Sequence, residues 1–283
     1  MSPLRLAVLT PDPGDKTYAG RWQTAFAHYQ TVFSAVGVEL CASPWIATPP
    51  MNVDAALVTL VWGYHKQAAR WADWLANTSI NLINPLSIVR WNTDKRYLRG
   101  MAEAGAPVIP TLFVDAVDGS ALAVAFETFA TDRLVVKPII SAGSHQTAVV
   151  APGEPPPAFT GPAMVQPFLN AVRAEGELSL FYFGGRFSHA ARKVAAADDF
   201  RVQPKFGGQF SRMEPTMEMA EAAERALAAA PDGLVYARVD LIRDRDGALK
   251  LMEFEAIEPD LYFDLAPDAA PRFAEAVVAA IRC

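Results

Sequence analysis

The segment YARVDLIRDRDGALKLMEFEAI, residues 236–257, restricts the fold more than any other stretch of the chain. Apolar and polar residues alternate with period two on both sides of Asp246-Gly247. That dipeptide suits a two-residue type I′ turn, in which both central positions need positive φ. With the turn centred there, Asp240 lies opposite Glu253 and Arg238 opposite Glu255. Alternation then puts these four charged side chains on one face, and Val239, Leu241, Met252 and Phe254 on the other, toward a core. Like charges facing each other across a sheet are destabilising, so three carboxylates on one face call for a cation. Either Arg238 and a lysine neutralise them on a solvated face, or they hold Mg²⁺, which prefers hard oxygen ligands and leaves room for phosphate oxygens.

A second hairpin, ELSLFYFGGRFSHAARK, turns at Gly184-Gly185. The two-residue turn sets Glu177 opposite Arg192 and His189 opposite Leu180. Glu177 and Arg192 form either a plain cross-strand ion pair or two walls of a pocket, with Arg192 and Lys193 aimed at an anion. His189 reads as an ordinary strand residue.

The first 85 residues read as an α/β unit. Leu4 to Leu9, Val38 to Cys41 and Ala56 to Trp62 are strand candidates. Between them, Trp22, Phe26, Tyr29 and Phe33 recur at helical spacing up to Gly37, and Trp71, Trp74 and Leu75 mark a second helix. Strands alternating with helices imply a parallel sheet. Trp62, Tyr64 and His65 follow a strand, where ligands collect at carboxyl ends, although core and surface account for them equally well. Asn84-Pro85 reads as an N-cap followed by Pro at the first helical position, and Thr93-Asp94 as the start of another helix, ending by Gly105. LVVKPII is a strand with Pro138 at its end or on a sheet edge. The expected organisation is residues 1–85, an N-terminal α/β unit; 86–165, a central lobe; and 166–283, a C-terminal lobe carrying the acidic hairpin.

Composition closes off several function classes. The chain has 283 residues, 52% of them hydrophobic and 20% charged, as expected of a globular protein. At about 150 residues per domain, that length suits roughly two domains. A net charge of −6 argues against a nucleic-acid or acidic-membrane partner. Cys41 and Cys283 form neither a metal-ligand spacing nor a disulfide framework, and neither suggests a catalytic thiol. No targeting segment is apparent, and the apolar runs fall far short of the ~20 residues that span a bilayer, so the expectation is a cytoplasmic protein.

Taken in order, VVKP with Lys137, the small-residue loop SAGSHQT, MVQPFL, ELS…ARK, RVQPKFGG and the R-x-D…E-x-E pair resemble the ATP-grasp superfamily over nearly the whole chain. ARK…R-x-Q-x-x-x-G-G is similar to bacterial glutathione synthetases. NPLSIVRWNTDKRYL, MVQPFL and EFEAIEPDLYF resemble more closely the group containing the D-cycloserine ring-closing enzymes, the O-ureido-serine cyclo-ligases.

The resemblance implies an ATP-grasp fold of the α/β (α+β) class and an ATP-dependent, ADP-forming ligase with ATP and Mg²⁺ as cofactors. Its substrate would be a small amino-acid-like molecule activated as a phosphate, then attacked by an amine or closed into a ring. Lys95 and Lys137 would bind phosphates, with Ser141, Gly143 and Ser144 in the covering loop. The strand holding Gln166 and Phe168 would meet adenine, with Glu177 on the ribose side. Asp240, Glu253 and Glu255 would hold Mg²⁺, and Arg192, Arg201, Gly207 and Gly208 would cradle the transferred phosphoryl group. Glu255 stands where the family usually has Asn, Gln203 where glutathione synthetases have Asn, and Pro167 interrupts the hinge. An amide-forming ligase of the glutathione-synthetase type, a kinase, a ligase acting on a peptide tail and a non-catalytic nucleotide binder are the alternatives. Homodimers are common in the superfamily.

Overall fold

The computed structural model describes residues 3–48, 50–196 and 207–282. Four parallel strands open the chain: β1 (Leu4–Thr10), β2 (Val38–Pro44), β3 (Ala55–Leu57) and β4 (Leu82–Ile83), in the order β2-β1-β3-β4. The crossovers hold α1 (Arg21–Ser34) and α2 (Ala68–Asn77), where the apolar spacing placed helices. Tyr29 and Phe33 of α1 are buried, and Gly37 leaves the helix at φ +75°. The apolar run after Ala56 does not stay extended. Strand β3 ends at Leu57, and residues 58–61 continue as a buried turn closed by Val61 N–H on the Val58 carbonyl at 3.3 Å. A short 3-10 turn, Tyr64–Gln67, follows it. The last helix, α8 (Ala269–Arg282), returns to this unit and packs Phe273 edge-on against Phe33 at 5.8 Å.

A four-stranded antiparallel sheet comes next in the chain. It contains β5 (Leu112–Val114), β6 (Leu134–Pro138), β7 (Ala148–Val150) and β8 (Ala163–Pro167), in the order β5-β8-β6-β7. The boundary expected at 165–166 falls inside β8. Helix α5 (Gly119–Phe129) covers this sheet, with Asp118 capping its N-terminus. After the short helix α6 (Ala171–Ala174), a five-stranded antiparallel sheet completes the fold: β9 (Glu177–Phe183), β10 (Arg186–Val194), β11 (Gln209–Met213), β12 (Tyr236–Arg243) and β13 (Leu249–Glu255). Its order is β11-β10-β9-β12-β13. Strand β9 is buried throughout because both its faces are covered. Phe181 and Phe183 join the core shared with β1, α1 and α8. Leu178, Leu180 and Tyr182 pack on the other side with α7 (Met217–Ala228).

Both hairpins depart from a simple two-residue register. In the acidic hairpin, Gly247 N–H meets the Asp244 carbonyl at 3.0 Å and Asp244 N–H meets the Ala248 carbonyl at 2.9 Å. Only Gly247 takes positive φ, +85°, so the connection is a three-residue loop rather than a type I′ turn. Near the loop Leu241 therefore faces Leu251, and a bulge at Met252 restores Asp240 opposite Glu253 and Arg238 opposite Glu255. The bulge also turns Met252 off the core face assigned to it, into the cluster with Ile242 and Phe168.

In the other hairpin, the irregularity at Ser188 has no compensating shift. Glu177 faces Lys193 rather than Arg192, and His189 faces Phe181 rather than Leu180. Gly176 fixes this register. It lies at φ +87°, and a Cβ there would sit 2.3 Å from the Lys193 carbonyl oxygen.

Asn84 does not act as the expected N-cap. Pro85 holds that position before α3 (Leu86–Thr93), and the fully buried Asn84 amide joins β4 to the large sheet instead. Its Nδ2 donates to the carbonyls of Tyr236 and Ala256 at 2.9 and 2.8 Å, and its Oδ1 accepts from Val235 and Tyr236 N–H. Asn84→Ala strands these backbone groups, and should lower the unfolding free energy by about 3 kcal/mol in a urea titration. A loss under about 1 kcal/mol would contradict the clamp.

Candidate active site

The face of β12 and β13 predicted to be acidic is acidic, but its three carboxylates do not converge. Asp240 is 1% exposed and could not remain there as a bare charge. Arg238 grips it from Nε at 3.0 Å and Nη2 at 2.9 Å, Lys193 approaches to 3.3 Å, and the Ser179 hydroxyl donates to it. Burial alone would raise this carboxyl, yet Arg238 and Lys193 outweigh it and hold it well below the usual range. Arg238 also pairs with Glu255, and Lys95 with Glu253. Among the described residues, no three His, Cys, Asp or Glu side chains gather closely enough to hold a metal by themselves. The neutralised arrangement is thus the one found at Asp240. Glu253 and Glu255 keep side-chain exposures of 26% and 24% and stay open to a neighbouring cavity.

Two cavities lie along this face, lined by neighbouring residues of β13 and of the loop after β6. The larger, of about 520 Å³, lies between the two antiparallel sheets. Val135, Ile242 and Met252 give it an apolar floor, with Pro167, Phe168 and Leu169 along one edge. Lys137, Ser144, Gln166 and Glu177 supply its polar lining. The Gln166 side chain is tied to Thr111 at 2.9 Å, and Glu177 to Lys193 at 2.8 Å. Lys137 forms no ion pair with any described residue. Burial and the nearby Lys95 depress its ammonium against the pull of Glu253. An unpaired, partly desolvated lysine in a largely apolar cavity fits an anion attached to an apolar ring.

The second cavity, of about 310 Å³, is bounded by Lys95, Glu253, Glu255 and Glu258, with Tyr64 and Ser141 on its walls. The loop after β6 reaches both cavities, through Ser141 here and through Ser144 and Thr147 in the first. Three of its residues, Gly143, Ser144 and Gln146, have positive φ. His145 packs on His65 with ring centroids 5.0 Å apart, so this loop touches the N-terminal unit.

The structure therefore brings together Lys95, Lys137, Ser141, Ser144, Gln166, Phe168, Glu177, Glu253 and Glu255, with Gly143 inside the loop. Arg192 is elsewhere. It donates to the carbonyls of Glu175 and Ala174, on the opposite side of β10 from Lys193, because the Ser188 bulge moved the register by one. Gly207 and Gly208 lead into β11 and line neither cavity. Arg201 lies outside the described residues. Sequence reasoning placed Met252 in the core and passed over Glu258, whose position after β13 follows no periodicity.

No protein-family model matches the chain. The cycloserine biosynthesis protein DcsG of Streptomyces lavendulae is 31% identical over 247 residues, covering 79% of this chain and 82% of that protein. This chain belongs to the D-cycloserine synthetase family of ATP-grasp ligases. The crystal structure of D-cycloserine synthetase DcsG superposes with a TM-score of 0.84 at 27% identity, covering 98% of this chain and 99% of that one. The ATP-grasp ligase PsnB, solved with a precursor variant, Mg and ADP, matches at TM-score 0.66 and 15% identity over 99% of each chain, a likeness of fold.

The protein is an ATP-dependent C–N ligase. The donor set suits Mg²⁺, the ion found with ADP in that PsnB complex. Glu253 and Glu255 are hard oxygen donors facing an open cavity from rigid strand positions, and the surplus of carboxylates there favours a divalent cation. Asp240, in contrast, is paired with Arg238 and Lys193. Among the described residues, no helix is long and apolar enough to cross a membrane.

The surplus of acid has a consequence for the unliganded protein. Burial, then nearby carboxylates acting against Arg238 or Lys95, pushes Glu255 and Glu258 up to about 8. Raised carboxyls keep protons that the unfolded chain has already released, so their contribution to stability falls from pH 4.5 to about 8. Burial pushes His65 down to about 3 and His189 down to about 4, which gives the opposite slope below pH 6.5. Of these four groups, only the carboxyls still act above 6.5. The melting temperature of the nucleotide-free protein should therefore fall between pH 6.5 and about 8, less steeply in Glu258→Gln. A melting temperature that rises over that interval would contradict the buried acidic pocket.

Proposed function

We propose that the protein activates the carboxylate of a small amino-acid-like substrate with ATP and closes a C–N bond within that same molecule, as an O-ureido-serine cyclo-ligase. The observation that carries this reading is the adjacency of the two cavities. An apolar slot ending at the unpaired Lys137 opens beside a compact polar chamber walled by Lys95, Glu253 and Glu255. The slot suits a nucleotide, and the charged lining of the chamber suits a small polar molecule.

In this reading a nucleotide's ring lies over Val135, Ile242 and Met252 along the edge formed by Pro167 to Leu169. Lys137 meets its phosphates under the loop containing Ser141, Gly143 and Ser144. Glu253 and Glu255 would hold Mg²⁺, which would supply positive charge beside the phosphates; Lys95 and Arg238 would then be available to anionic oxygens. The substrate carboxylate oxygen takes the γ-phosphoryl group and ADP departs. A nitrogen of the substrate then attacks the acyl carbon and phosphate leaves, the nitrogen's proton passing to solvent. Lys95 and Arg238 stabilise the oxygen charge that develops in both steps, which is positioning and electrostatics with no protein nucleophile. Lys193 keeps Asp240 neutralised while Arg238 moves between partners. ATP supply places this work in the cytoplasm.

Product analysis tests the reading. With Mg²⁺ and ATP, O-ureido-serine alone should give ADP, phosphate and a cyclised product by mass spectrometry. Turnover that requires a separate carboxylate and amine would overturn ring closure in favour of an amide ligase. Glu253→Gln should retain the fold and lose about 10²-fold or more of turnover. Lys137→Ala should weaken ATP binding about tenfold by calorimetry, and unaltered affinity would remove Lys137 from the phosphate site.

A further inference from the structure

Glu258 is the one carboxylate lining the smaller cavity that has no ion pair among the described residues. Glu253 has Lys95 and Glu255 has Arg238, but neither cation is within ion-pair distance of Glu258. It follows β13 by three residues, in the turn that leads away from the sheet. Across the cavity stands Tyr64, delivered by the 3-10 turn after β3 in the N-terminal unit. Tyr64 is only 4% exposed, and its ring is fixed against Trp71 at 4.9 Å and His65 at 5.8 Å. Its hydroxyl bonds to no described residue, although that atom is not sealed from the cavity. Glu258 is the carboxylate that acts on it most strongly. A buried phenol with an unused hydroxyl costs stability unless a ligand completes it, as does a carboxylate without a counter-ion.

We infer that Glu258 and Tyr64 form the recognition site for the substrate's α-ammonium group, Glu258 supplying the counter-charge and the Tyr64 oxygen a second acceptor. The inference rests on the ligase reading and goes further, since it assigns the part of the substrate that takes no part in bond formation. The substrate carboxylate then faces Lys95, on the side of the chamber shared with Glu253. Because Tyr64 and Glu258 come from different units, an amino acid bound between them bridges the N-terminal sheet to the acidic hairpin. A ligand with a carboxylate but no ammonium would leave Glu258 unpaired, and should bind poorly for that reason.

The test compares amino acids with their deamino counterparts by calorimetry, on protein saturated with a non-hydrolysable ATP analogue and Mg²⁺. The probe pairs are O-ureido-serine with 3-(ureidooxy)propanoate, serine with 3-hydroxypropanoate, and alanine with propanoate. Wild type should bind the amino member of at least one pair about tenfold or more tightly than its partner. Glu258→Gln should abolish that preference, and Tyr64→Phe should reduce it, with analogue affinity and Mg²⁺ requirement unchanged in both. Unchanged analogue binding also shows that the variants fold. Should Glu258→Gln fail to fold, Glu258→Asp should keep a reduced preference for the amino member.

Three results would overturn the inference. They are no amino preference in wild type for any pair, a preference that survives Glu258→Gln, or a raised Mg²⁺ requirement in that variant, which would assign Glu258 to the metal. Failure of the ring-closure reading appears separately, as absence of turnover on O-ureido-serine in a protein that still shows the amino preference.

Discussion

Beyond Leu251, whose N–H and carbonyl bond to the Pro107 carbonyl and the Ile109 N–H, the outer edge of β13 is held by side chains instead of a neighbouring strand, and the position of the site depends on that contact. The Tyr97 hydroxyl, from α4 (Tyr97–Glu103), both accepts from Phe254 N–H and donates to its carbonyl, each at 2.9 Å. The Asn92 amide of α3 donates to the Phe254 carbonyl at 2.7 Å and accepts from Ala256 N–H at 2.8 Å. Asn84 takes the Ala256 carbonyl. These groups satisfy backbone donors and acceptors that an edge strand would leave open. Because the side-chain period of a strand is two, a slip of one residue would send Glu253 and Glu255 into the core and Phe254 into the cavity. The same two helices flank Lys95, so the clamp that fixes β13 also fixes the lysine that meets Glu253.

Charge is distributed over this frame in a graded way. Deep in the sheet, Asp240, Arg238, Lys193 and Glu177 compensate one another and leave little net charge. Toward the cavities the compensation thins. Lys137 has no anion and Glu258 no cation among the described residues, and these two lie in different chambers. A folded chain keeps such groups at a cost, since a buried charge without a partner is expensive. Their positions indicate the two places where a charged ligand is needed, an anion beside Lys137 and a cation beside Glu258. The ion pairs Lys95–Glu253 and Arg238–Glu255 lie near the same face.

How much of this was legible in the sequence follows from where strand registers are set. The alternation around Asp246-Gly247 correctly paired Asp240 with Glu253 and Arg238 with Glu255, although the loop has three residues. A second irregularity, at Met252, cancelled the first before the site was reached. No such cancellation occurs beyond Ser188, so Arg192 was read into a place that Lys193 occupies. A β-bulge leaves little trace in composition, and its effect is carried along the strand to every later side chain. Asn84 looked like a helix cap because Asn-Pro usually is one; its actual partners lie about 150 residues away, where no local pattern can point. The placing of Lys137 near the end of a strand, with a small-residue loop after it, was legible from the order along the chain. Tyr64 and Glu258 acquire meaning only once two distant segments share a cavity.

The most direct test is a crystal structure of the protein with Mg²⁺ and a non-hydrolysable ATP analogue. The account predicts the base over Val135, Ile242 and Met252, phosphate oxygens on Lys137, and the metal bound by Glu253 and Glu255, with Lys95 and Arg238 released from them. A nucleotide bound outside that slot, or a bound nucleotide that leaves Lys137 without a phosphate contact, would contradict it.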